Sequence, residues 1–452
     1  MEGKESLQLE QMGYRQELKR EMGLRDLLFY GLGMMVPIAP VAIFGIVTVA
    51  SLGHMALAYL LAIIPMSFAA YSYGQMAGAY PLAGAAYAYT QRVFNPHLGS
   101  LAGWSMLLSY VVMTAFNYVI MATFLQPMFP GLNYWTIVLV SILIVTVVNL
   151  VGIKNLSRIN TILVIFMFIA VGYFVIAAAS SLSQGVGLGA FTMKPFYNPE
   201  TFQFSALMAG TAIACFSFLG FDAMATMAEE VKEPAKNISR GTILVCFGAG
   251  FLFILQAYFA QAIFPDFNNF PDVDAAFYYV ALRAGGNVLA TFLNMALVVG
   301  SLANAIDAQA GVSRILYGMG RDEVLPSRIF AYVNPKTGVP TYNILMIAGT
   351  SVVLAALSLE IVTSLINFGA LIGFMLVNLC VIKHYYFDQQ KRGPKGLWAY
   401  LLVPLFGFLA CFALFISLST EVLIGGGLWL LLGVIYLAIT TDFFRKKPPV
   451  MS

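Results

Sequence analysis

The chain has 452 residues, of which 60% are hydrophobic and only 10% charged, with a formal net charge of +3 at pH 7. A water-soluble fold of this length cannot hide so much apolar surface, so the composition excludes a globular soluble enzyme and defines an all-α, polytopic membrane protein whose first partner is the lipid bilayer. The small positive balance sits in loop lysines and arginines and gives no reason to invoke nucleic acid. Cys215, Cys246, Cys380 and Cys411 lie in apolar runs without CxxC or metal spacing, and His54, His97 and His384 are isolated. No metal site and no cofactor are therefore expected.

In chain order, residues 1–26 carry both charge signs and no cleavable apolar core, and are expected to form a cytoplasmic N-terminal arm. Apolar runs of about 20 residues then give twelve expected transmembrane helices. Their limits are 27–50, 55–77, 97–127, 134–153, 159–182, 202–229, 240–264, 277–318, 341–358, 361–386, 398–418 and 422–441. The eighth is long enough to overrun a bilayer. A short cytoplasmic tail, 442–452, completes the chain.

Placing the N-terminus inside leaves only Lys194 and Arg283, of the 24 lysines and arginines, on the outside. The positive-inside rule is met, with both termini cytoplasmic in a bacterial inner membrane. Glu200, Asp266, Asp272, Asp274, Glu360 and Glu421 then face outward. They give the outer mouth either a mild field favouring cations or simply a solvated rim.

Two spans are interrupted. Span 1 contains Gly31, Gly33, Pro37 and Pro40, and the two prolines each remove a backbone donor and obstruct the preceding turn. Span 6 carries Gly220 and Asp222 mid-way through an apolar run. Irregular backbone at membrane depth is tolerated only inside protein or beside a polar cavity. Breaks five spans apart point to a 5+5 inverted repeat, 27–182 and 202–386, with solute held between the halves and 398–441 appended as two extra helices.

These features resemble the APC (amino acid–polyamine–organocation) superfamily. The likeness is carried by Phe216-Ser-Phe-Leu-Gly-Phe-Asp222, Ala228-Glu-Glu-Val-Lys-Glu-Pro234 and Val312-Ser-Arg-Ile-Leu-Tyr-Gly-Met-Gly-Arg-Asp322. Within it the sequence is most similar to bacterial putrescine importers, through Tyr80–Gln91, Asn95-Pro-His-Leu-Gly99, Gly103-Trp-Ser105 and Ile366-Asn-Phe-Gly-Ala-Leu371. The resemblance implies a LeuT-like fold, alternating access around spans 1 and 6, and a small amine or amino acid as substrate, with a coupling proton possible.

Candidate substrate-binding residues are Pro37, Ile38 and Ala39 at the first break, Tyr110 and Asn117 in span 3, Phe216, Phe218, Gly220 and Asp222 at the second, and Asp307 in span 8. Gly220 would free carbonyls for a protonated amine. Asp222 has two readings, an ammonium partner or a cap accepting from the N–H groups of residues 224 and 225. The family pattern makes Phe216 an aromatic lid, with cation–π attraction of about 1–2 kcal/mol in a dry site. Glu229, seven residues after Asp222, could stop the pathway on the inside or accept a proton. Ser301, Asn304 and Asp307, spaced by three, form a polar stripe on span 8. A carboxylate there costs roughly 3 kcal/mol to insert, so it should face protein or water. Ser109, Thr114, Tyr118 and Asn367 are read as groups that knit helices together.

The chain departs from the family in three places. Amino-acid carriers of the superfamily have a Gly-(Ser/Thr)-Gly element in span 1 that holds a carboxylate; here Pro37-Ile-Ala39 stands there, which favours a carboxylate-free amine. Enteric putrescine importers carry acids where this chain has Ala42 and Ser109, unless Asp307 substitutes for one of them. Span 5 has no lysine, which proton-coupled relatives often carry, so the coupling ion is open.

The expectation is thus a secondary carrier importing a small organic amine, putrescine first, with a proton-coupled neutral or cationic amino acid permease as the alternative. It would act as a monomer or homodimer. No clustered nucleophile or HExxH motif suggests an enzyme. A fluorescent protein fused after Arg445 should fluoresce, since that end is expected inside; an active alkaline phosphatase fusion there would invert the topology.

Overall fold

The computed structural model describes residues 22–81, 85–151, 156–228, 230–321, 325–335 and 337–445. Most of the expected N-terminal arm and C-terminal tail, and Glu229, lie outside them. Among the described residues the elements are helical apart from one isolated parallel bridge, Met22 to Val231.

The principal helices are α1 (Leu24–Met35), α2 (Ala39–Ala50), α3 (Met55–Ala79), α4 (Ala85–Val93), α5 (Pro96–Leu125), α6 (Tyr134–Val151), α7 (Leu156–Ser183), α8 (Phe204–Ala214), α9 (Ala223–Thr226), α10 (Pro234–Ile263), α11 (Ala276–Arg321), α12 (Thr341–Leu354), α13 (Leu359–Val381), α14 (Val403–Phe415) and α15 (Thr420–Thr440). Among the described residues ten helical segments are long and apolar enough to cross a bilayer, α1 and α2 form a bent pair, and α12 is shorter. The segments holding α5 and α13 are the most enclosed, and those holding α14 and α15 the least, at 22% buried each. The first two therefore form the centre of the bundle and the last two its lipid-facing edge. Helix α15 is still held firmly, because Trp104 and Trp429 each donate an indole N–H to the other's carbonyl at 2.9 Å and their rings stack at 4.7 Å.

The long eighth span is also interrupted. Helix α11 runs for 46 residues, about 70 Å at 1.5 Å per residue, which is more than twice a hydrocarbon core. It is two helices joined at a kink where Gly285 and Gly286 leave helical geometry, Gly286 with φ 69°.

Both expected breaks are present. Val36 precedes Pro37, and the proline ring disfavours helical geometry in the residue before it. Accordingly α1 stops at Met35 and α2 leaves at a 44° bend; Val36 between them takes φ 52°, an uncommon value for a β-branched residue. Pro40 lies in the first turn of α2, where a missing donor costs nothing. In span 6, α8 tightens into a 3-10 turn over Cys215–Phe218, Leu219 is extended, and Gly220 has φ 120°, a conformation L side chains rarely adopt.

The two breaks touch. A Cβ on Gly220 would lie 2.7 Å from the carbonyl carbon of Met34 and 2.8 Å from the backbone nitrogen of Met35. Gly220 is thus required both by its torsion and by the approach of another backbone. Gly220→Ala should destabilise the fold by about 3 kcal/mol, from strain plus overpacking. Gly248→Ala, with nothing within 4 Å of its added carbon, should change it little. Equal melting temperatures for the two variants would contradict the close approach.

Candidate substrate site

The breaks leave peptide groups that no helix satisfies, and neighbouring side chains take them up. Gln256 on α10 donates to the Pro37 carbonyl at 2.9 Å. Asn367 on α13 donates to the carbonyls of Ala212 and Ile213 at 2.9 and 3.3 Å, where α8 is ending. The 3-10 turn is also fastened through a side chain, since the hydroxyls of Tyr59 on α3 and Ser217 share a 2.7 Å hydrogen bond.

A cavity opens beside the two breaks. Its walls are Met34, Met35, Val36, Ala39 and Ala42 from span 1, Met113, Phe116 and Asn117 from α5, Phe216 and Leu219 from span 6, and Leu297, Ser301 and Asn304 from α11. Phe116 and Phe216 stack obliquely, with ring centroids 4.4 Å apart. Asn117 donates one amide N–H to the Met113 carbonyl, one turn back on α5, at 2.8 Å. The open space is about 30 Å³, enough for one or two waters. A larger solute enters only if the walls part, and three methionines among them make that cheap, since the thioether chain repacks easily.

The candidate residues separate into three sets. Ala39, Asn117, Phe216, Ser301 and Asn304 line the cavity. Tyr110, Asp222 and Asp307 do not. Asp222 and Asp307 lie within electrostatic reach of Tyr30 on α1, as Asp222 does of Tyr110, so charge is held near these phenols and outside the cavity wall. Pro37 and Ile38 shape the break without facing the cavity, and Gly220 serves the backbone contact. Phe218 turns away altogether and packs on Phe253 at 5.3 Å and Tyr59 at 6.3 Å.

The expected cap by Asp222 takes a different form. The N–H groups of residues 224 and 225 already bond the backbone carbonyls of Phe221 and Asp222, at 3.2 and 3.0 Å. The Asp222 carboxylate instead reaches back to the Gly220 N–H at 3.1 Å and braces the break itself. The half-helix expected from Phe221 is also only four residues, Ala223–Thr226, too short to present much of a dipole.

Sequence reasoning did not single out Phe116, the lining methionines, Leu297 or Gln256. The apolar ones look like any other residue of a membrane helix. Gln256 did carry a signal, an amide in the middle of an otherwise apolar span, which must find partners. Asn367 and Ser109 do knit helices, Ser109 by donating to the Ile366 carbonyl at 2.8 Å. At the opposite face, burial and then the charges of Asp272 and Glu360 push the Asp274 carboxyl above its ordinary range. Like charges are therefore gathered at that mouth.

The comparison with known proteins follows this geometry. A family model described as amino acid permease matches residues 26–441, and the chain belongs to that family, within the APC superfamily. It is 32% identical over 437 residues to the low-affinity putrescine importer PlaP of Escherichia coli K12, covering 96% of both chains. It is 25% identical to the branched-chain amino acid permease BcaP of Bacillus subtilis, covering 92% of both, and 24% identical to the methylthioribose transporter of the same organism, over 83% of this chain and 84% of that one. The chain is a multi-pass membrane transporter and not an enzyme.

The geometry separates two phenylalanines only two residues apart. Phe216→Ala should raise the KM for transport about tenfold, the worth of a dry aromatic contact, in addition to the stability lost with its packing on Phe116. Phe218→Ala should cost about 3 kcal/mol of stability through the void it leaves, and shift KM less. The reverse pattern would mean that the ring facing the solute has been misassigned.

Proposed function

We propose that the protein is a secondary carrier importing a small organic amine, with putrescine as the first solute to test, by alternating access around the two broken spans. The observation that supports this most is the meeting of Gly220 with Met34 and Met35 beside the cavity, which lets both breaks move as one piece against α5 and α11. On this reading the bent pair and α12 are counted as spans, giving twelve, arranged as a LeuT-like 5+5 repeat with two added helices and both termini inside.

One ammonium group would rest over Phe116 and Phe216, near the amides of Asn117 and Asn304, by cation–π attraction and hydrogen bonding. The other would extend toward Asp222 and Asp307, so the acids serve without lining the present cavity. Similarity to a putrescine importer along nearly the whole chain agrees with this choice. So does the thermodynamics: a dication gains about 4.6 kcal/mol crossing 100 mV, at ~2.3 per charge. That sustains roughly 10³-fold accumulation without a coupled ion.

A second reading, a neutral amino acid carried with a proton, is favoured by one specific observation. The cavity wall itself holds no charged side chain and is rich in methionine. Similarity to a branched-chain amino acid permease points the same way.

Purified protein in liposomes distinguishes the two. With an inside-negative potassium diffusion potential and no pH gradient, labelled putrescine should accumulate, and Asp307→Asn should weaken its binding with little loss of stability. Uptake of leucine or methionine that needs a proton gradient, with no putrescine uptake, would establish the second reading instead.

A further inference from the structure

We propose that Gln256 is a positioning residue, which fixes the break in span 1 so that Val36 and Ala39 stand as wall of the solute cavity. Gln256 is 1% exposed and lies within α10. Its amide nitrogen donates to two carbonyls, Pro37 at 2.9 Å and Leu252 at 3.1 Å. Two acceptors on one nitrogen fix the orientation of the amide, because the flipped form would set its oxygen against two carbonyl oxygens. The Leu252 contact is one turn back along α10 and pins the side chain to its own helix, so the remaining N–H reaches across to Pro37 with little freedom.

The Pro37 carbonyl is where this tether has most effect. Residue 37 lies between the last residue of α1 and the first of α2, with Val36 in left-handed geometry on one side and Ala39 on the other. Val36 and Ala39 both line the cavity, and Ala39 donates its N–H back to the Val36 carbonyl at 2.8 Å. Releasing Pro37 therefore loosens a four-residue turn, 36–39, that is itself part of the wall. The amide oxygen of Gln256 is buried with no hydrogen-bond partner. A buried acceptor left unpaired is unfavourable, and a side chain serving only to fill space would be better apolar. The retained amide indicates that its donor end is what the site requires.

This inference rests on the cavity being the solute site, and the test separates the two. In Gln256→Leu the Pro37 carbonyl loses its donor, and the KM for the transported solute should rise about tenfold while the maximal rate per folded protein is kept. In Gln256→Glu a protonated carboxyl can still donate, whereas the carboxylate repels both carbonyls. Its KM, relative to wild type at the same pH, should be near unity at about pH 5.5 and rise about tenfold by about pH 8.5. That rescue also covers the case in which the leucine variant folds poorly. Independently of any solute, deuterium exchange over residues 34–41 should be several-fold faster in Gln256→Leu than in wild type, with α5 unchanged. If both variants keep the wild-type KM at every pH, or if exchange over 34–41 is unaltered, the proposal is overturned. If the wild type takes up none of the solutes tested, the solute reading fails by itself, and the exchange measurement still decides the role of Gln256.

Discussion

A peptide group in a bilayer has no water to bond, and the whole arrangement follows from how this chain handles the few that its helices abandon. Two spans stop winding half-way, one because of Pro37 and one because of Gly220. Each stop is placed against protein, where the freed carbonyls and N–H groups meet Gln256, Asn367 and the Asp222 carboxylate. The breaks also rest on each other, backbone to backbone, at Gly220 and Met34. A cavity in this position is walled by the two breaks themselves, which on the proposed mechanism would release solute by moving that wall.

The division between cavity and acid cluster bears on specificity. The present wall is aromatic, thioether and amide, and the carboxylates lie toward α1 around Tyr30. A cation would be received first by ring faces and amide oxygens, and would meet full charges only as it travels. Keeping the acids out of the resting cavity avoids a bare carboxylate facing an apolar chamber, where its desolvation would be costly.

Much of the fold was legible in the sequence for a physical reason: proline and glycine act through the backbone and leave their mark wherever they stand. The breaks at Pro37 and Gly220 were readable from residue type, and the place of Ser301 and Asn304 on the cavity wall from their spacing, although Asp307, the third member of that stripe, does not line it. Burial direction was not readable. Phe216 and Phe218 are indistinguishable as letters, and only the 3-10 turn sends one to the cavity and the other toward Phe253. Phe116 and Met113 were invisible because an apolar residue in an apolar helix carries no signal until its neighbours are known. Of the two readings of Asp222, the cap fails because the N–H groups of residues 224 and 225 are already taken by backbone carbonyls. The kink at Gly285 and Gly286, which hydropathy does not show, divides the long eighth span near its start.

The central claim is that the cavity faces one side of the membrane at a time and that the paired breaks do the switching. Single-cysteine labelling at Asn117 tests it most directly, since the four native cysteines are buried and should not react. An impermeant thiol reagent should reach Cys at this position from one face only, with transported solute shifting reactivity to the other face. Simultaneous labelling from both faces, or labelling indifferent to solute, would contradict the account.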